Sequence, residues 1–210
     1  MLNFNEEQNI FNQGYKSIGG LDEAGRGPLA GPVVAACVVI LPKFCYADIE
    51  FSDLRMINDS KKLSAKKREE LFKAIQESSL EVGIGICDHE TIDRINIFQA
   101  SFLAMKKALS ALKKKPDFIV LDGKFLIPNV SYKQKAIIHG DQKIFSIAAA
   151  SIVAKVTRDR IMLEFHERFP EYGFNKHKGY GTRLHLERLK KYGPCPIHRK
   201  SFAPVRVLSS

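Results

Sequence analysis

Nine consecutive apolar residues, Val33 to Leu41, stand between Pro32 and Pro42. A membrane-spanning helix needs about 20. A run this short, rich in valine and closed by proline at both ends, suits a buried strand. Further strand-like segments follow the same logic at Ser17–Asp22, Leu80–Ile86, Phe118–Asp122 and Lys135–His139. In Leu80–Ile86, apolar Leu80, Val82, Ile84 and Ile86 alternate with Glu81, Gly83 and Gly85, which predicts one buried face.

Helical periods alternate with these strands. Ser64 is placed as an N-cap for a helix to Ser79 carrying Leu71, Phe72 and Ile75. Asn96–Leu112 shows Phe98, Phe102, Met105 and Leu109 on one stripe, with Pro116 beyond its end. Lys143–Phe169 includes Ile147-Ala148-Ala149-Ala150-Ser151, small enough to let a helix approach a sheet closely. Arg183–Tyr192 has Thr182 as N-cap and Gly193 past its end. Strands interleaved with helices predict an α/β domain over about residues 15–160, with a basic helical C-terminal lobe over about 161–206. Residues 1–14, polar and without period, read as a loosely held extension.

The 33 Lys and Arg exceed the 23 Asp and Glu by 10, so the partner is polyanionic: a nucleic acid or an anionic membrane surface. From Lys155 to Val207 there are thirteen basic against five acidic residues, which concentrates the surplus in the terminal quarter. A membrane-surface role would want a strongly apolar helix face, and Arg183–Tyr192 offers little. The N-terminus has no apolar run followed by a cleavage signature. Cys37, Cys45, Cys87 and Cys195 lack paired spacing, so free thiols and a cytoplasmic location are expected. The single Cys195/His198 pair is a poor zinc signal.

The chemistry is carried by acids at the ends of buried strands, where a carboxylate must be paired, hydrogen-bonded or metal-bound. Asp22 and Glu23 close the first strand, Asp122 closes Phe118–Leu121, and Asp141 follows Lys135–His139 through Gly140. Such oxygen donors suit Mg²⁺ or Mn²⁺, two of which can flank a scissile phosphate. Taken singly each acid can equally cap a turn, as in Asp122-Gly123. Neighbouring side chains on a strand point to opposite faces, so the strand must bend at Glu23 or Glu23 must contribute its carbonyl. The glycine-rich stretch Ala24–Pro32 is either a tight turn between strands or a loop whose amides approach a phosphate or sugar beside Arg26. It lacks the GK[ST] ending of a P-loop.

Gly20-Leu21-Asp22-Glu23-Ala24-Gly25-Arg26-Gly27-Pro28-Leu29-Ala30-Gly31-Pro32 resembles the signature of the ribonuclease HII family. Asp59–Ser64, Leu121-Asp122-Gly123, Gly140-Asp141, Ala148–Asp159, Tyr172-Gly173-Phe174, His177–Thr182 and His198–Val205 match in order, so the resemblance covers about residues 17–205. It implies an RNase H-like fold, a mixed sheet flanked by helices. It also implies divalent-metal hydrolysis on the 5′ side of ribonucleotides, in RNA/DNA hybrids or embedded singly in duplex DNA. Asp22, Glu23, Asp122 and Asp141 match the family's metal-binding positions. Gly25, Arg26 and Gly27 match the loop at the ribonucleotide, and Tyr180 the tyrosine that stacks on the following sugar. The related ribonuclease HIII type usually has Lys where Arg26 stands, and an N-terminal domain for which residues 1–14 are too short.

Weaker assignments are Lys61 and Lys62 on the nucleic-acid backbone, Lys143 near the metal cluster, and His177, His185 or His198 on phosphate. Arg158 and Asp159 read as a structural ion pair. A non-catalytic hybrid-binding module is the alternative, but a binder gains nothing from four carboxylates facing phosphates. A monomer is expected.

Overall fold

The computed structural model describes residues 2, 4–43, 54–58, 60, 63–78 and 80–208. Five strands form one mixed sheet: β1 (Ile18–Ala24), β2 (Val33–Ile40), β3 (Glu81–Cys87), β4 (Phe118–Asp122) and β5 (Lys133–Ile137), in the order β3-β2-β1-β4-β5. β1, β2 and β3 pair antiparallel, whereas β4 runs parallel to β1 and to β5. Every residue of β2 is buried. Ala36, Val38 and Ile40 face one core and Ala35, Cys37 and Val39 the other, which is why the run admits no polar residue.

The first core is built with α2 (Ala65–Glu77) and α4 (Phe145–Arg168), the second with α3 (His89–Ser110). The small residues of α4 do let it lie close: a Cβ on Gly20 of β1 would stand 2.2 Å from the Ser146 carbonyl carbon. β3 differs from its expected pattern. Its most buried residues are Gly83, Gly85 and Cys87, against α3, while Val82 and Ile84 are half-buried and Ile86 is exposed. The absent side chains are the reason, since a Cβ on Gly85 would meet the Ala104 carbonyl oxygen at 2.0 Å.

Two further expectations are corrected. Residues 5–12 are not loose: they form α1 (Asn5–Asn12), which buries Glu7, Ile10 and Phe11. The Glu7 carboxylate accepts from the Ser146 backbone N–H at 3.1 Å and its hydroxyl at 3.0 Å, satisfying the first turn of α4. The long third helix starts before Asn96, capped by Asp88, and Asn96 itself is a non-helical break (φ 65°, ψ 164°). Its Oδ1 accepts from the Gln99 N–H at 3.1 Å, re-capping the second half where the apolar stripe begins.

The C-terminal lobe comprises α5 (Phe174–His177), α6 (Arg183–Tyr192) and α7 (Val205–Leu208). Tyr172, Phe174, Cys195 and Ile197 pack there with Met162 of α4 and with Ala30 of the glycine loop. A bridge between Ala30 and His198 ties loop and lobe together. Among the described residues no helix is long and apolar enough to cross a membrane. Asp59, Lys61 and Lys62 lie outside the described residues.

Candidate active site

Parallel pairing puts two acids side by side. Leu21 of β1 is in register with Leu121 of β4, so Asp22 and Asp122 occupy the next rung on adjacent strands, about 4.8 Å apart along the hydrogen-bonding direction. Val120, one side-chain alternation before Asp122, faces the α4 core, so both acids point towards α4. β1 does not stop at Glu23; it continues to Ala24. Glu23 nevertheless reaches the cleft from the last part of the strand, and Arg26 Nη1 donates to its Oε1 at 3.2 Å.

Asp22, Glu23, Gly25, Arg26, Gly27, Asp122 and Tyr180 line one cleft of about 270 Å³. Ser60, Ser151 and Lys155 complete it, three residues whose part in the site was not read from the sequence. The signal for two of them was helical spacing: Ser151, Lys155 and Arg158 fall on one face of α4. The Ser151 and Ser60 hydroxyls are 2.9 Å apart. Lys155 Nζ donates to Asp159 Oδ1 at 2.8 Å and stands 5.6 Å from the Tyr180 ring centre.

Asp22 is the electrostatic focus. Burial first, then the Glu23 and Asp122 carboxylates, push its pKa well above the ordinary range, and hydrogen bonds from Ser151 and the Glu23 N–H only partly offset this. Asp122 Oδ1 accepts from the Gly140 N–H at 2.7 Å. That bond sets Asp141, in the turn Gly140–Gln142, one residue beyond the amide that holds Asp122. Asp141 is buried and does not line the cleft. Asp22, Glu23 and Asp122 share the cleft, and among the described residues no three His, Cys, Asp or Glu side chains are grouped as they would be around a metal ion. The donor set nonetheless fits a hard divalent cation: all oxygen, crowded, and with one carboxylate whose ionisation burial opposes.

The glycines of the loop divide their work. A Cβ on Gly25 (φ +101°) would meet Arg158 Nε at 2.2 Å, so a side chain there would run into the interior, while the Gly25 backbone lines the cleft. At Gly27 the nearest atom to such a Cβ is Tyr180 Cε1 at 4.0 Å, across open space. Tyr180 is 39% exposed.

Other assigned residues lie elsewhere. Lys143 Nζ donates to the Ile138 carbonyl at 2.8 Å. Arg158 is not paired with Asp159; it is fully buried among backbone carbonyls. His177, His185 and His198 are buried and cannot reach phosphate. His185 Nδ1 donates to the Tyr180 carbonyl at 2.9 Å, and its Nε2 accepts from His198 Nε2 at 3.0 Å. His198 Nδ1 in turn accepts from the Cys195 backbone N–H at 2.9 Å. This order needs both rings neutral, and burial pushes each down to about 4. The Cys195/His198 spacing serves hydrogen bonding in this structure.

A mixed sheet with carboxylates on adjacent parallel strand ends, below a basic lobe, defines an RNase H-like metal-dependent nuclease. The family model for ribonuclease HII matches residues 19–205. The ribonuclease HII of Endomicrobium trichonymphae is 51% identical over 207 residues, 99% of this chain and 95% of that protein. The ribonuclease HII of Geotalea daltonii is 56% identical over 194 residues, 92% and 86% respectively. The crystal structure of the ribonuclease H2 from Pyrococcus horikoshii OT3 superposes with a TM-score of 0.73 at 30% identity, covering 91% of this chain and 96% of that one. The chain belongs to the ribonuclease HII family of metal-dependent endoribonucleases.

Proposed function

We propose that this enzyme hydrolyses the phosphodiester on the 5′ side of a ribonucleotide, both in RNA/DNA hybrids and at single ribonucleotides embedded in duplex DNA. The observation that carries the proposal is the single cleft shared by Asp22, Glu23, Asp122, the Gly25–Gly27 loop and Tyr180. Asp22, Glu23, Asp122 and Asp141 are the residues that would hold the cation. Held there, Mg²⁺ or Mn²⁺ would supply Lewis-acid chemistry, activating a water and stabilising the leaving oxygen.

The chain's own groups do the rest. Among the described residues the N–H groups of Gly25, Arg26 and Gly27 have no acceptor, which leaves them for the target sugar and its phosphate. Arg26, half-exposed on Glu23, can transfer its guanidinium to the adjoining phosphate and so release that carboxylate. Tyr180 offers its ring to the following sugar and its hydroxyl to the 2′-hydroxyl, the group that marks RNA. Lys61 is assigned to the nucleic-acid backbone. Residues 15–206 act as one catalytic unit whose lobe brings Tyr180 to the cleft, as a monomer in the cytoplasm. The test is a labelled DNA duplex holding one ribonucleotide, incubated with Mg²⁺, Mn²⁺ or EDTA. A metal-dependent cut at the ribonucleotide and none in all-DNA duplex is expected; cutting in EDTA, or of all-DNA duplex, would overturn the reading.

A further inference from the structure

Five carbonyl groups of the glycine loop, those of Gly25, Arg26, Ala30, Gly31 and Pro32, accept from arginine side chains. Arg199 donates through Nε to Gly31 at 3.0 Å, through Nη1 to Arg26 at 3.0 Å, and through Nη2 to Gly25 at 2.6 Å and Pro32 at 3.2 Å. Arg158 donates through Nε to Pro32 at 3.0 Å, through Nη2 to Ala30 at 3.2 Å and through Nη1 to the Lys178 carbonyl at 3.0 Å. Both side chains are completely buried, and among the described residues no carboxylate hydrogen-bonds either.

Two like charges buried together are costly when the nearest carboxylates, Asp93 for Arg199 and Asp159 for Arg158, act on them only at a distance. Burial lowers the pKa of both, and with Arg158 nearby that of Arg199 falls to about 9, still above neutral pH; an arginine guanidinium keeps its charge inside proteins. A neutral amide side chain could satisfy one or two carbonyls without that cost. Only the planar five-donor fork of arginine holds several diverging carbonyls at once.

Their reach covers both elements assigned to the ribonucleotide. Gly25 sits against the Arg158 side chain, and the Arg158 guanidinium carbon lies 5.6 Å from the centre of the Tyr180 ring. Arg199 directly follows His198, which through His185 fixes the Tyr180 carbonyl. Carbonyls engaged by guanidinium on one side leave the amides of Gly25, Arg26 and Gly27 for a ligand on the other.

We propose that Arg158 and Arg199 are positioning residues for ribonucleotide discrimination, holding the Gly25–Pro32 loop and Tyr180 in one fixed relation. This rests on the reading that the loop and Tyr180 contact the ribonucleotide. Lysine keeps the charge and loses the fork. Arg158→Lys, Arg199→Lys and the double variant are therefore compared with Tyr180→Ala on a duplex with one embedded ribonucleotide and on a long hybrid, with kcat and KM measured separately. Each single lysine variant should lose about tenfold or more in kcat/KM on the single-ribonucleotide duplex, mostly in kcat, and clearly less on the hybrid. The double variant should lose less than the product of the two. Equal losses on the two substrates in the lysine variants, beside a selective Tyr180→Ala, overturn this proposal alone. An unselective Tyr180→Ala overturns the reading beneath it. If the lysine variants do not fold, the unaltered protein decides. Its Arg158 and Arg199 Nε–H resonances should shift on binding a single-ribonucleotide duplex with Ca²⁺ and shift less with all-DNA duplex; identical shifts overturn the proposal.

Discussion

Asp122→Asn separates the chemistry of the cleft from its architecture. The asparagine carbonyl can still accept the Gly140 N–H now held at 2.7 Å, so what is lost there is the charge on one hydrogen bond, about 1 kcal/mol. An opposing gain follows, because the Asp122 carboxylate is one of the causes of the raised Asp22 pKa, and removing it relieves that repulsion. Net stability should stay within about 1 kcal/mol, or roughly 2–4 °C in Tm for a chain of this size. Catalysis has no such compensation. A charged group acting on the reacting centre of a water-poor site is worth about 2.7–4 kcal/mol, or roughly 10²–10³-fold in rate. Melting curves and kcat/KM on a single-ribonucleotide duplex in Mg²⁺ make the comparison. Turnover within tenfold of the unaltered enzyme would remove Asp122 from the metal site. A collapse in Tm alongside the lost activity would show that its role is structural.

Tyr180→Ala should lose most activity on a duplex with one embedded ribonucleotide and less on a long hybrid, where several registers are available; equal loss on both would make Tyr180 a packing residue. Lys176→Ala with Arg183→Ala, both on the exposed face of the lobe, should flatten the dependence of log K on log salt by up to roughly 0.9 for each phosphate no longer neutralised, and an unchanged slope would take the lobe off the duplex. Glu7→Gln tests a buried acid outside the site. Burial raises the Glu7 pKa above 4.5, so the native state holds its proton more tightly than the unfolded chain. The resulting penalty is absent below pH 4.5 and grows as pH rises through the native value. The glutamine variant should therefore melt higher than the unaltered protein at pH 7 and lose that advantage near pH 4; an advantage independent of pH would refute the assignment.

The strands were legible because burial on both faces left no polar residue in β2, and because β4 ends on Asp122 while β1 carries Asp22 and Glu23 just before its last residue. Helix caps were legible too: the side chains of Ser64 and Thr182 accept from the N–H groups of Lys67 and His185. α1 was hidden by its buried glutamate, since Glu7, Ile10 and Phe11 share a face that reads as apolar only when the acid is known to cap another helix. β3 misled because its glycines, not its valine and isoleucines, mark the closest approach of α3. The family resemblance gathered the acids, and parallel register explains why Asp22 and Asp122 meet. The basic surplus of the C-terminal quarter was harder to read. Arg158 and Arg199 count towards it in sequence but are spent on loop carbonyls, and the three histidines are spent on one another and on backbone. Nothing local in a sequence tells a buried cation from a solvated one; the difference lies in carbonyls up to 174 residues away.

Mass spectrometry of the two fragments from a DNA duplex with one ribonucleotide tests the central claim most directly. Metal-assisted attack by water on the 5′ side of the ribonucleotide must leave a 3′-hydroxyl on the upstream DNA and a 5′-phosphate on the ribonucleotide. The upstream sugar has no 2′-hydroxyl, so no internal nucleophile can make that cut. A break on the 3′ side, with a 2′,3′-cyclic phosphate on the ribonucleotide, would mean that the ribose itself is the nucleophile, and would contradict the role assigned to the acids.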